Sequence, residues 1–161
     1  MRHTLWQSFR FASRGLQTAF WSQRTMRVHI AIAALVTVAA VWLDLPAGEA
    51  AALVIAMVVV LAAELFNTAA EALVDLVVGD RHHGLAGRAK DLSAAAVLVA
   101  AAGAAIVGLL VLGRPILAAF GGGGVDALLL ARACVFLLVF ALVAVVLRRP
   151  GAHPPENGGP Q

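Results

Sequence analysis

The sequence predicts an all-α integral membrane protein: an amphipathic N-terminal helix on the membrane surface, followed by four apolar spans. Three observations carry this expectation. Hydrophobic residues make up 61% of the 161 residues and charged ones only 13%, with a mean hydropathy of +0.91, a composition that goes with bilayer-spanning runs. Apolar runs alternate with short polar connections. Lys and Arg gather on alternate connections, as orientation signals do. The formal net charge of +3 sits beside these runs and not in basic clusters interleaved with aromatics, so no nucleic-acid partner is expected. The single cysteine, Cys134, excludes an intrachain disulfide and a cysteine metal cluster. Lying inside an apolar run, it reads as a small buried hydrophobe.

Taken in order, Phe9, Phe11, Leu16, Phe20 and Trp21 alternate with Arg10, Arg14, Gln17 and Arg24. Such mixing fits a helix lying on an anionic leaflet. The first span is expected at residues 28–43, short enough that Arg27 and His29 are expected to snorkel. No cleavable leader is expected, because this first apolar run follows a long mixed segment without a small-residue cleavage pattern. The second span is expected at residues 50–78. Its length of about 29 residues, at about 1.5 Å each, exceeds a hydrocarbon core of roughly 30 Å, so its last turns should emerge. The third and fourth spans are expected at residues 92–112 and 125–147. Residues 44–49 carry no Lys or Arg, whereas Arg81, Arg88 and Lys90 lie between spans two and three, and Arg148 and Arg149 follow span four. The positive-inside rule then puts both termini in the cytoplasm. Residues 121–124 are all glycine but lack the Gly-Lys-Ser/Thr of a phosphate loop, and read as a turn. The Pro/Gly-rich end, with His153 incidental, reads as a disordered tail.

The second span holds a chemical anomaly. Glu64, Asn67, Glu71 and Asp75 step by three, four and four residues, which places them on one helix face. An ionised carboxylate at a bilayer centre costs roughly 2.5–3.5 kcal/mol on insertion scales. Gluing helices together by hydrogen bonds rarely needs three acids, so a chemical use is expected. A second cluster, Asp80-Arg81-His82-His83-Gly84-Leu85-Ala86-Gly87-Arg88-Ala89-Lys90-Asp91, forms a basic connection next to that face. Carboxylates that hold Mg²⁺ and accept a proton, beside cations that hold polyphosphate, are the parts of phosphoryl transfer. A small ion- or proton-coupled transporter also places acids in membranes. It has no evident need of the basic connection, and no inverted repeat is visible.

Glu-Leu-Phe-Asn-Thr-Ala-Ala-Glu-Ala-Leu-Val-Asp at residues 64–75, then His-Gly-Leu-Ala-Gly-Arg-Ala-Lys-Asp at residues 83–91, resembles the signature of the small bacterial diacylglycerol kinase and undecaprenol kinase family. The likeness begins at Ser8-Phe9-Arg10-Phe11-Ala12-Ser13-Arg14-Gly15-Leu16, includes Arg27-Val28-His29, and extends to about residue 113. It implies an ATP- and Mg²⁺-dependent lipid kinase in the bacterial inner membrane. It further implies a homotrimer whose active sites are shared between subunits near the cytoplasmic interface. Carried over by position, Glu64 matches the general base, Glu71 a metal ligand and Asn67 an active-site polar residue. Lys90 and Asp91, with His83, match nucleotide contacts, and Asp75 a supporting acid. Gln23 stands where the family often has a metal-binding glutamate, offering an oxygen but no charge. The extra fourth span is a second departure, with Arg132 expected to serve packing there.

These expectations divide the chain into an amphipathic surface region (1–27), a three-span kinase core (28–113), a linker with the extra span (114–147) and a tail (148–161). The expected function is phosphorylation of diacylglycerol to phosphatidic acid, with undecaprenol as the alternative acceptor.

Overall fold

The computed structural model describes residues 4–79 and 83–119. They form α1 (Leu5–Ser22), α2 (Arg24–Trp42), α3 (Ala47–Val78) and α4 (Gly84–Ala119), with no strand among the described residues. The expected fourth span and tail, with Arg132, Cys134 and His153, lie outside the described residues, as do Asp80, Arg81 and His82.

Helix α1 starts where a reciprocal cap dictates. Thr4 Oγ1 accepts from the Gln7 backbone N–H at 3.4 Å, and Gln7 Oε1 accepts from the Thr4 N–H at 3.0 Å, so two otherwise orphaned donors are satisfied. Its large apolar side chains Trp6, Phe9 and Trp21 are exposed, as an interfacial helix requires. A single extended residue, Gln23 (φ −105°, ψ 121°), separates α1 from α2. Arg27, in the first turn of α2, donates to the carbonyls of Phe20 and Trp21 at 3.4 and 3.2 Å. Last-turn carbonyls have no partner within their own helix, so this cation closes the bend.

Helices α2, α3 and α4 are each long and apolar enough to cross a membrane. Helix α3 is the axis of the bundle: it packs most extensively on α4, less on α2 and least on α1. At its end Gly79 adopts φ 58° and its N–H bonds the Asp75 carbonyl at 2.9 Å. This left-handed position suits glycine because a Cβ would be strained there. The buried core is narrow, comprising Ala19, Met26, Leu53, Val60 and Leu112 together with the polar Glu64 and Asn67. Much of the remaining apolar surface, including Ile55, Phe66, Leu98 and Leu110, faces outward. Lipid tails are as apolar as these side chains, so helix association here rests on close packing and polar contacts.

Two differences from the sequence expectation concern α4. It begins at Gly84, eight residues before the expected span, so residues 84–91 are helical turns and not a loop. Hydropathy locates the stretch that lipid accepts, whereas Leu, Ala, Arg and Lys continue a helix into water at little cost. The His83 carbonyl starts it, accepting from Ala86 and Gly87 N–H groups at 2.9 and 3.2 Å. At the other end α4 runs beyond residue 112 to Ala119 with Pro115 inside it, where one backbone hydrogen bond is necessarily missing.

Candidate active site

The polar face of α3 is graded along its length. Glu64 is 2% exposed and Asn67 9%, Glu71 is half-buried, and the Asp75 side chain is 65% exposed. One helix thus carries the same chemistry from the bundle interior out to its surface.

Glu64 is held from α2. His29 Nε2 lies 3.2 Å from Glu64 Oε1, and Thr25 Oγ1 donates to Oε2 at 3.3 Å. Thr25 and His29 are one helical turn apart and share a face. The expectation that His29 snorkels outward is therefore corrected: its side chain is only 20% exposed and turns toward the acid. Arg27, by contrast, is exposed and reaches the carbonyls at the end of α1. The Thr68 hydroxyl donates to the Glu64 carbonyl at 2.9 Å. Among the described residues no buried side-chain nitrogen or oxygen lacks a partner, which is what the cost of an unpaired polar group in an apolar setting demands.

Glu71 forms the second centre. Asn67 Nδ2 donates to its Oε1 and Gln23 Nε2 to its Oε2, both at 3.1 Å. Asn67 Oδ1 in turn accepts from Ser93 Oγ at 2.7 Å, and that hydroxyl lies 2.9 Å from the Lys90 carbonyl. Lys90 Nζ meets Asp75 Oδ1 at 2.6 Å, with side chains 39% and 65% exposed. The α1–α2 bend, α3 and α4 are thereby joined through one carboxylate.

Of the residues singled out from sequence, Gln23, Glu64, Asn67 and Glu71 converge, with Lys90 at the open end. His83 and Asp91 are exposed and stand outside this network; His83 lines an open pocket with Val74, Val77 and Leu85. Sequence reasoning missed Thr25, His29 and Ser93 as partners. The available signal was faint: three polar residues, two of them a turn apart, facing an apolar bundle.

The residues present can be tested against Mg²⁺. Among the described residues no three His, Cys, Asp or Glu side chains converge. Mg²⁺ usually keeps several waters and binds through one or two carboxylates plus substrate phosphates. One carboxylate, Glu71, with two carboxamides beside it fits a site completed by phosphate and does not fit an all-protein cage. A groove of about 210 Å³ runs between α2, α3 and α4, lined by Ile32, Val36, Leu53, Val60 and Ala104, with His29, the partner of Glu64, also in its wall. A buried carboxylate near an apolar groove suits proton removal from a hydroxyl carried on a lipid.

The model of the prokaryotic diacylglycerol kinase family matches residues 10–112. The chain is 43% identical over 124 residues to a diacylglycerol kinase of Synechocystis sp., an overlap of 73% of this chain and 71% of that protein. It is 37% identical over 90 residues to the diacylglycerol kinase of Escherichia coli, covering 56% of this chain and 73% of that one. Against the undecaprenol kinase of Bacillus subtilis, identity is 36% over 105 residues, covering 65% and 85%. The chain belongs to the prokaryotic diacylglycerol kinase family, and is by that membership a lipid kinase.

Proposed function

We propose that this kinase transfers the γ-phosphoryl group of ATP to diacylglycerol, forming phosphatidic acid at the cytoplasmic face of the bacterial inner membrane. The observation that carries the reading is one helix face holding a buried acid, Glu64, and a half-buried acid, Glu71. The first is held by His29, which lines an apolar groove, and the second is linked through Asn67 to Ser93 near the basic start of α4. That order matches an acceptor arriving from lipid and a donor arriving from water.

In this reading Glu64 accepts the proton of the lipid hydroxyl as that oxygen attacks the γ-phosphorus. The bond from phosphorus to the β,γ-bridging oxygen breaks, and ADP leaves with the electron pair. Thr25 and His29 hold the Glu64 carboxylate so that its remaining lone pairs are available to the hydroxyl. Lys90 exchanges its surface partner Asp75 for a phosphate, and His83 and Asp91 contact the nucleotide. Glu71, with Gln23 and Asn67, would hold Mg²⁺, which when bound would supply neutralisation of polyphosphate charge. Lys and Arg before α2 and near the start of α4 support cytoplasmic placement of both the site and the N-terminus. Assembly into a homotrimer is what the likeness to the family implies.

A second acceptor, undecaprenol, is favoured by the similarity to the Bacillus subtilis enzyme of that name and by Arg27-Val28-His29. The deciding assay gives purified protein in mixed micelles labelled ATP, Mg²⁺ and either lipid. Label in diacylglycerol, lost in Glu64→Gln, is the expected result. Preference for undecaprenol selects the second reading, and label in neither lipid overturns both.

A further inference from the structure

Glu71 has both carboxylate oxygens occupied by N–H donors, Asn67 Nδ2 and Gln23 Nε2, each at 3.1 Å. Hydrogen bonds to an ionised acceptor are among the stronger ones. In this arrangement the two carboxamides turn nitrogen toward Glu71, and the Asn67 oxygen faces away, toward Ser93. A divalent cation needs the opposite polarity, with oxygens converging. A carboxamide carries an oxygen and an NH₂ group of nearly equal shape, so a half-turn exchanges one polarity for the other.

Ser93 makes that exchange feasible without leaving a buried group unsatisfied. Its hydroxyl lies 2.7 Å from Asn67 Oδ1 and 2.9 Å from the Lys90 carbonyl, but it has a single proton to give. When Asn67 turns, its NH₂ donates to Ser93 Oγ while the Ser93 proton goes to the Lys90 carbonyl. Asn67 and Ser93 each keep a partner in both states. Gln23 is the lone extended residue between α1 and α2, its N–H still bonding the Ala19 carbonyl at 3.0 Å as the cap of α1, so its side chain follows the face spacing of neither helix.

We infer that Gln23, Asn67 and Ser93 form a two-position carboxamide clamp. It closes Glu71 to free divalent cations and opens only when the cation arrives with nucleotide. The inference rests on the reading of Glu71 as the metal-binding acid. A fully hydrated Mg²⁺ dehydrates reluctantly, and alone it lacks the phosphate oxygens that offset displacement of two charge-assisted hydrogen bonds. Bound to a triphosphate, it is already partly dehydrated and brings those oxygens with it.

The test uses full-length protein in detergent micelles, with Mn²⁺ as the probe read by electron paramagnetic resonance, with and without a non-hydrolysable ATP analogue. The wild type is expected to take up no stoichiometric Mn²⁺ alone and one equivalent with the analogue. Gln23→Glu, which removes a donor and adds a charge, is expected to bind Mn²⁺ alone at least tenfold more tightly than wild type. If wild type alone binds an equivalent as tightly as Gln23→Glu, the clamp is wrong and the Glu71 reading stands. If Glu71→Gln with the analogue keeps the wild-type Mn²⁺, the Glu71 reading itself is wrong. A readout independent of any variant comes from the ¹⁵N side-chain amide resonances of Gln23 and Asn67 in the wild type. They should move on adding Mg²⁺ with the analogue and stay in place with Mg²⁺ alone; movement with Mg²⁺ alone overturns the clamp.

Discussion

At the residue scale, Glu64 and Glu71 differ in surroundings more than in kind, and each surrounding predicts a separate response. Glu64→Gln keeps volume and hydrogen-bonding capacity at a site 2% exposed but cannot take a proton. Turnover should fall by about 10²–10⁴-fold, the usual contribution of a positioned base, with helicity by circular dichroism unchanged. His29→Leu removes one of the two α2 partners of Glu64. Leaving a buried oxygen under-satisfied costs about 1–3 kcal/mol, so thermal unfolding in detergent should shift down, with His29→Gln recovering most of the loss. The spacing of Glu64, Asn67, Glu71 and Asp75 made this face legible in the sequence, because it is a property of one helix. Thr25, His29 and Ser93 were not legible as partners. Their importance arises from which residue lies opposite across a helix interface, and periodicity within a segment carries no such information.

At the element scale, the extension of α4 back to Gly84 turns an expected loop into a helical arm that holds Lys90 over the end of α3. The membrane-crossing part of α4 was legible from hydropathy; its watery first turns were not, because Arg88, Lys90 and Asp91 suppress the apolar signal without preventing a helix. The Lys90–Asp75 pair is largely exposed, and such pairs contribute about 0–1 kcal/mol. Lys90→Met should therefore leave unfolding nearly unchanged. Its effect should appear in nucleotide binding instead: loss of a charge-assisted phosphate contact of about 1.5–3 kcal/mol raises the KM for ATP by about 10–150-fold. Asp75→Asn, which frees Lys90 from its surface partner, should not raise that KM. Equal increases in the two variants would mean that the pair, and not the cation, serves ATP.

For the whole molecule, the family match ends at residue 112, so protein ending at Ala119 should retain transfer of label from ATP to lipid in the mixed-micelle assay. Loss of transfer would give residues 120–161 a part in the core reaction. The length of α3, 32 residues, has a consequence of another kind. At about 1.5 Å per residue it measures about 48 Å against a hydrocarbon core of roughly 30 Å, and Glu64, Glu71 and Asp75 are strung along its second half. The depth of the lipid hydroxyl is set by the bilayer, while the depth of Glu64 is set by the helix. Bilayer thickness then acts as the alignment between reactants, since a long helix meets a thinner or thicker membrane by tilting or by deforming it. Reconstituted in vesicles of graded acyl-chain length, the enzyme should show a rate that rises to an optimum and falls on either side. A flat profile would mean that the protein carries its own register, independent of the membrane in which it sits.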